Sequence, residues 1–291
     1  MGRIAEALRK AHEEREEKLR LGLGLRIRDQ ESGIKGQVEE TLHPIPSPQS
    51  PIRNPLLPAG PMPSWEVHPT VVTLSDRNSS ITEQYRAVRT WLLRQSRTGK
   101  HHCIAITSSV PREGKTVTVA NLAAVMAEVR HLNVLAVDTD FRQGSLSTLF
   151  KLPNSPGLAD VLGGRATIDE AITNTPLGNL SVLPAGTCQD LNPAELINST
   201  AAARVFEEIR DSYHFILVDT SPVQWLSDVG VIGALCTGII MVVRMNKTSA
   251  DVVRQSVQWL QSNNLEVIGC IAAACGGEAA YSGYREPNKD E

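Results

Sequence analysis

The chain has 291 residues, enough for one or two domains with a sizeable core, and a formal net charge of −3, so no global positive field argues for nucleic acid as a partner. Its five scattered cysteines lack metal-ligand spacing, which points to a reducing compartment, and the longest apolar stretch (231–243) is too short and too interrupted to span a bilayer. The N-terminus is charged with no apolar core behind it, so neither a signal peptide nor a membrane anchor is expected.

Residues 1–28 are expected to form a charged amphipathic helix, with Ile4, Ala7, Leu8 and Ala11 on one face. That narrow stripe suits a solvated helix or one that docks on another protein. Residues 29–77 contain nine prolines from Pro44 to Pro69, which deny both helix and ladder donors, and this predicts a flexible linker. From 78 to 275 strand and helix patterns alternate: helix 80–97, strand 103–107, helix 116–130, strands 133–138 and 180–184, helix 193–211, strand 214–219, helix 226–236, strand 238–244, helix 248–263 and strand 266–273. Alternation of this kind predicts an α/β domain built on a mostly parallel, doubly wound sheet, with ligands at the carboxyl ends of its strands. The tail, 276–291, is polar and glycine-containing, is expected to be mobile, and carries Tyr281 and Tyr284.

Chemistry concentrates at three strand ends. The first strand runs into Ser109-Val110-Pro111-Arg112-Glu113-Gly114-Lys115-Thr116-Val117, and a loop ending Gly-Lys-Thr between a strand and a helix is the phosphate cradle of P-loop proteins. Its backbone N–H groups and the helix N-terminus face phosphate oxygens, Lys115 supplies a point charge, and the Thr116 hydroxyl suits Mg²⁺. The second strand ends in Asp138 and Asp140, two apart and therefore on one face if extended; such a pair can hold Mg²⁺ through water or accept a proton from an attacking hydroxyl. Phe215-Ile216-Leu217-Val218-Asp219 repeats the apolar-then-acid pattern of a strand whose carboxylate meets Mg²⁺. The cofactors expected are ATP and Mg²⁺, with Thr116, Asp138 and Asp219 at the metal and Lys115, Asp138 and Asp140 as the catalytic set.

Together these motifs resemble the cytoplasmic kinase domain of the bacterial tyrosine kinases (BY-kinases) of capsule and exopolysaccharide synthesis, in the MinD/ParA-like branch of P-loop proteins. The resemblance covers about residues 79–275 and rests on SSVPREGKT, on VDTDFRQGSLSTLFKLPNSPGLADVLGG, on Leu183-Pro184-Ala185-Gly186 followed by Asn192-Pro193-Ala194-Glu195-Leu196, on Asp219-Thr220-Ser221-Pro222, and on VVRMNKTS. The opening GRIAEALRKA is similar to that of kinases accompanying exosortase-type clusters. The resemblance implies an ATP-dependent tyrosine autokinase with Tyr281 and Tyr284 as phosphoacceptors presented in trans. It also implies a homo-oligomeric ring built through Glu83, Arg86 and Arg89, a membrane polysaccharide co-polymerase whose cytoplasmic tail is the partner, a cognate tyrosine phosphatase, and a cytoplasmic location at the inner membrane face. By spacing alone the Glu83, Arg86 and Arg89 set reads equally as a salt-bridge ladder within one helix.

Three departures from the family pattern stand out. Val110 occupies the place of the signature lysine of ParA-like ATPases, which favours the kinase branch. Arg112 replaces a usual glycine, so a positive φ there would carry strain unless its guanidinium serves a phosphate. The tail holds two tyrosines rather than a longer cluster. Two competing readings use the same pocket: an ATPase switch with water as acceptor, and a nucleotide-binding adaptor of a membrane protein.

Overall fold

The computed structural model describes residues 65–96, 103–188, 192–224 and 226–273, all within a compact unit spanning Pro44–Glu291. The expected N-terminal helix and the 276–291 tail lie outside the described residues, as does the linker up to residue 64.

Seven strands form one sheet in the order β3-β4-β2-β5-β1-β6-β7. They are β1 (Cys103–Ser108), β2 (Val134–Asp138), β3 (Thr173–Asn174), β4 (Leu180–Leu183), β5 (Phe215–Asp219), β6 (Gly238–Arg244) and β7 (Val267–Ala273). Every pairing is parallel except the two-residue β3 against β4. All residues of β1, β2, β4 and β5 are buried, which is why these strands read as unbroken apolar runs rather than alternating ones. Five helices of nine or more residues flank the sheet among the described residues: α1 (Ser80–Ser96), α2 (Lys115–Ala127), α3 (Thr200–Ser212), α4 (Leu226–Ala234) and α5 (Ala250–Ser262).

Local chemistry sets the helix ends. The Ser199 hydroxyl accepts from the Ala202 N–H at 3.3 Å and starts α3, which splits the helix expected over 193–211 into Pro193–Ile197 and α3. Ser249 starts α5 in the same way, accepting from the Val252 N–H at 3.4 Å. In α3 the buried Ala202, Val205, Phe206 and Ile209 recur at helical spacing and face the sheet. α2 is buried nearly all round, because β1 lies under it and α1 over it.

The linker expectation needs correction at its C-terminal end. Trp65 stacks on Phe150 with ring centroids 5.3 Å apart, Val71 is fully buried, and a short helix runs Val72–Ser75. Asn121 of α2 holds this segment, accepting from the Thr73 N–H at 3.0 Å and donating to the Thr70 carbonyl at 2.9 Å. The density of prolines hid an apolar triplet, Trp65, Val67 and Val71, whose burial outweighs local chain preference.

The signature segments around residues 157 and 185 touch through bare backbone. Leu158 and Ala159 donate to the carbonyls of Pro184 and Ala185, each at 2.8 Å. A Cβ on Gly157 would sit 2.3 Å from the Gly186 nitrogen, so only glycine allows this approach.

Candidate active site

β5 lies between β2 and β1, so the three strand ends that carry the predicted chemistry are spatial neighbours. Asp138 and Asp219 are register partners, and Asp219 pairs on its other side with Ile106, two residues before β1 ends. The loop from Ser109 to Gly114 thus rises beside both carboxylates.

That loop is held from behind by a carboxylate. Glu113 is 1% exposed and accepts from the Val110 N–H (2.9 Å), the Arg244 N–H (3.1 Å) and the Thr248 hydroxyl (2.6 Å). The Glu113 side chain is consumed in tying the loop to the end of β6, so its expected place at the cofactor falls to its backbone. Arg244 and Thr248 belong to a segment that resembled the family without any residue of it being singled out, so their role was missed. Gly114 has φ +96° and Arg112 φ +66°, and for an L-residue the left-handed region costs about 1–2 kcal/mol. The Glu113 bonds over-determine the loop and sustain that strain.

Lys115 opens α2 and its Nζ lies 2.9 Å from Asp140 Oδ2, with the pair nearly buried. Burial would pull the Lys115 ammonium down, but the carboxylates of Asp219, Asp140 and Asp138 outweigh it and hold the proton more tightly than usual. Asp138 accepts from the Asp140 N–H on Oδ1 and the Leu146 N–H on Oδ2, each at 3.0 Å, which fixes its orientation. Burial, and then the neighbouring charge of Asp219, still push the Asp138 carboxyl well above the ordinary range. Burial also raises Asp219, against the pull of Lys115.

Among the described residues, Asp140 Oδ1, Ser109 Oγ and Ser221 Oγ are buried oxygens without a hydrogen-bond partner, and the buried Asp219 carboxylate has the Thr116 hydroxyl alone beside it. Unsatisfied acceptors at this depth are costly unless something else meets them. Thr116 follows Lys115 on the first turn of α2, so one hydroxyl and two carboxylate-bearing strand ends suit Mg²⁺, which takes few protein ligands and completes its shell with phosphate and water. Of the other loop residues, Ser109 is buried, whereas Val110, Pro111, Thr116 and Val117 are partly exposed and Arg112 is exposed.

The oligomerisation set has found a partner inside the chain. Arg86 grips Glu128, at the end of α2, with Nε at 2.9 Å and Nη2 at 2.6 Å, while Arg89 Nη1 reaches the same carboxylate at 2.5 Å. Glu83 pairs with Arg86 along the helix at 2.5 Å. Glu128, 42 residues from Arg86, carried no local signal for this role. Removing it in Glu128→Ala takes away the carboxylate shared by both guanidiniums, leaving Arg86 with Glu83 and the Arg77 carbonyl and Arg89 with the Val125 carbonyl, and is expected to cost about 1–3 kcal/mol. Urea unfolding would register this, and an unchanged midpoint would show the cluster to be a surface ladder. Tyr281 and Tyr284 lie outside the described residues. The last described residue, Ala273, packs against the loop, 3.9 Å from where a Cβ on Gly114 would stand.

Comparison with known proteins agrees with this geometry. Residues 101–262 match the AAA domain family. The chain is 30% identical to the tyrosine-protein kinase YwqD of Bacillus subtilis over 201 residues, which is 69% of this chain and 84% of that protein. It superposes on the kinase domain of the Escherichia coli tyrosine kinase ETK with a TM-score of 0.67 and 28% identity, covering 75% of this chain and 84% of that one. The septum site-determining protein MinD of Pyrococcus horikoshii, solved with Mg-ADP, gives a TM-score of 0.50 at 26% identity over 59% of this chain and 69% of that one.

Proposed function

The chain belongs to the bacterial tyrosine kinases, a branch of the AAA-domain P-loop proteins, and from that premise we propose that it is an ATP-dependent autokinase acting on its own C-terminal tyrosines to regulate assembly or export of an extracellular polysaccharide. The observation that carries this reading is the convergence of the Gly114–Lys115–Thr116 cradle with three buried carboxylates whose hydrogen-bonding capacity is only partly met. Nucleotide phosphates belong on the loop amides and Lys115. Thr116, Asp138 and Asp219 are the residues to hold Mg²⁺, which would offset charge on the phosphates. Asp140, with Oδ1 free and Oδ2 oriented by Lys115, is the acceptor for the proton of an attacking phenol. A phenol of pKa near 10 is poorly ionised at neutral pH, so such a base matters.

Tyr281 lies eight residues beyond Ala273, which ends β7 on the side of the sheet near Gly114. A membrane polysaccharide co-polymerase is the partner this reading implies, and it is also what would bring the chain to a membrane; no described helix is long and apolar enough to cross one. The test is mass spectrometry of purified protein after incubation with Mg²⁺ and ATP. Phosphate on Tyr281 or Tyr284 is expected; an unmodified tail despite ATP turnover would favour the ATPase switch.

A further inference from the structure

We propose that Arg112 is an additional phosphate-binding residue, its guanidinium closing over the loop onto the bound nucleotide. This rests on the reading of the loop as a nucleotide cradle. Three observations lead to it. The Arg112 backbone stands at φ +66°, where glycine is the unstrained choice, so the arginine is kept at a cost in stability. Its carbonyl is tied down by Arg244 Nη1 at 3.3 Å, and the buried Glu113 clamps the next residue, so the loop presents the side chain outward from a fixed base. The exposed guanidinium makes no hydrogen bond or ion pair with any described residue, three positions before Lys115 in the same loop.

Charge balance gives the arginine its use. Asp138, Asp140 and Asp219 surround the single ammonium of Lys115, which is already paired to Asp140. One divalent ion and one lysine supply three positive charges, which at most match the three carboxylates and leave the charge of the polyphosphate itself to the loop amides and any further cation. A guanidinium is a fixed positive charge that binds phosphate oxygens in a fork, which the compact ammonium of lysine does not reproduce. Glycine at the same position would relieve the backbone but leave that charge deficit.

Calorimetric titration of the full chain with Mg–ADP tests this. Arg112→Asn is the informative variant, because asparagine tolerates the left-handed backbone and carries no charge. Binding is expected to weaken about tenfold or more in Arg112→Asn and Arg112→Gly, with Arg112→Lys in between, while the ligand-free melting temperature of the first two stays level or rises. Binding by Arg112→Gly that equals or exceeds wild type would overturn the inference, and would fit an arginine that obstructs the loop. Wild type that binds no Mg–ADP, indistinguishable from Lys115→Met, would instead remove the nucleotide-site reading and this inference with it.

Discussion

Replacing Asp219 by asparagine is expected to make the ligand-free protein more stable and the enzyme nearly inactive. The Asp219 carboxylate is fully buried beside Asp138 on the next strand, with the Lys115 ammonium and the Thr116 hydroxyl offsetting it only in part. An amide removes one of two like charges from the interior, which should add about 1–3 kcal/mol to ligand-free stability. For a domain of this size that corresponds to a rise in Tm of about 2–4 °C per kcal/mol. On the proposed mechanism the same change removes a ligand for Mg²⁺, so phosphoryl transfer should fall by about 100-fold or more. Acidity separates this account from a general packing effect. Folding raises Asp138 and Asp219 above the carboxylate value of the unfolded chain, about 3.9, so the folded state takes up protons more readily. Their favourable contribution is complete below that value and is lost as pH rises through the elevated folded values. Ligand-free wild type should therefore lose Tm between weakly acidic and neutral pH, and Asp219→Asn should lose less. Thermal melts with and without Mg²⁺–ADP would show this; a ligand-free variant less stable than wild type would mean that the attraction of Lys115 and Thr116 outweighs the cost of burying Asp219 beside Asp138.

Lys115→Met should have the larger effect on catalysis and the opposite effect on stability. Among the described residues this lysine is the one ammonium beside three buried carboxylates, and its ion pair with Asp140 is 2.9 Å long with little exposure on either side. Removing one partner of a buried pair typically costs about 3–5 kcal/mol, because the other charge is left without compensation. Loss of the charge proposed to meet the phosphates should lower tyrosine phosphorylation by about 10²–10³-fold, the scale seen when a preorganised electrostatic donor is deleted. A double variant discriminates the two roles. Lys115→Met with Asp140→Asn should recover much of the stability and none of the activity, since the stranded carboxylate is gone but the charge is still missing. Equal instability of the single and double variants would locate the loss in the Asp219 and Asp138 carboxylates left without Lys115, or in packing against α2, rather than in Asp140.

Both expectations depend on a site that was partly legible in the chain. The Gly114–Lys115–Thr116 loop, Asp138 and Asp219 are local signals: each follows an apolar strand, and a strand end is where a buried parallel sheet presents polar groups. The parallel sheet itself followed from the alternation of element types. Arg112 as a strained position was also visible, from the residue type alone.

What the sequence could not hold were relations between residues far apart in the chain. That Asp138 and Asp219 sit side by side depends on β5 inserting between β2 and β1, a choice of strand order that no local pattern encodes. Glu113 became a buttress rather than a ligand because the end of β6, some 130 residues on, brings Arg244 and Thr248 to its carboxylate. Glu128 drew Arg86 and Arg89 inward for a like reason, since α1 packs along α2. Trp65 to Ser75 joined the domain because buried apolar area outweighed proline content once Phe150 and Asn121 were in place to receive it. Residue type and spacing determined which groups could do chemistry here; packing decided which of them face the ligand, because a side chain is spent wherever its strongest neighbour lies.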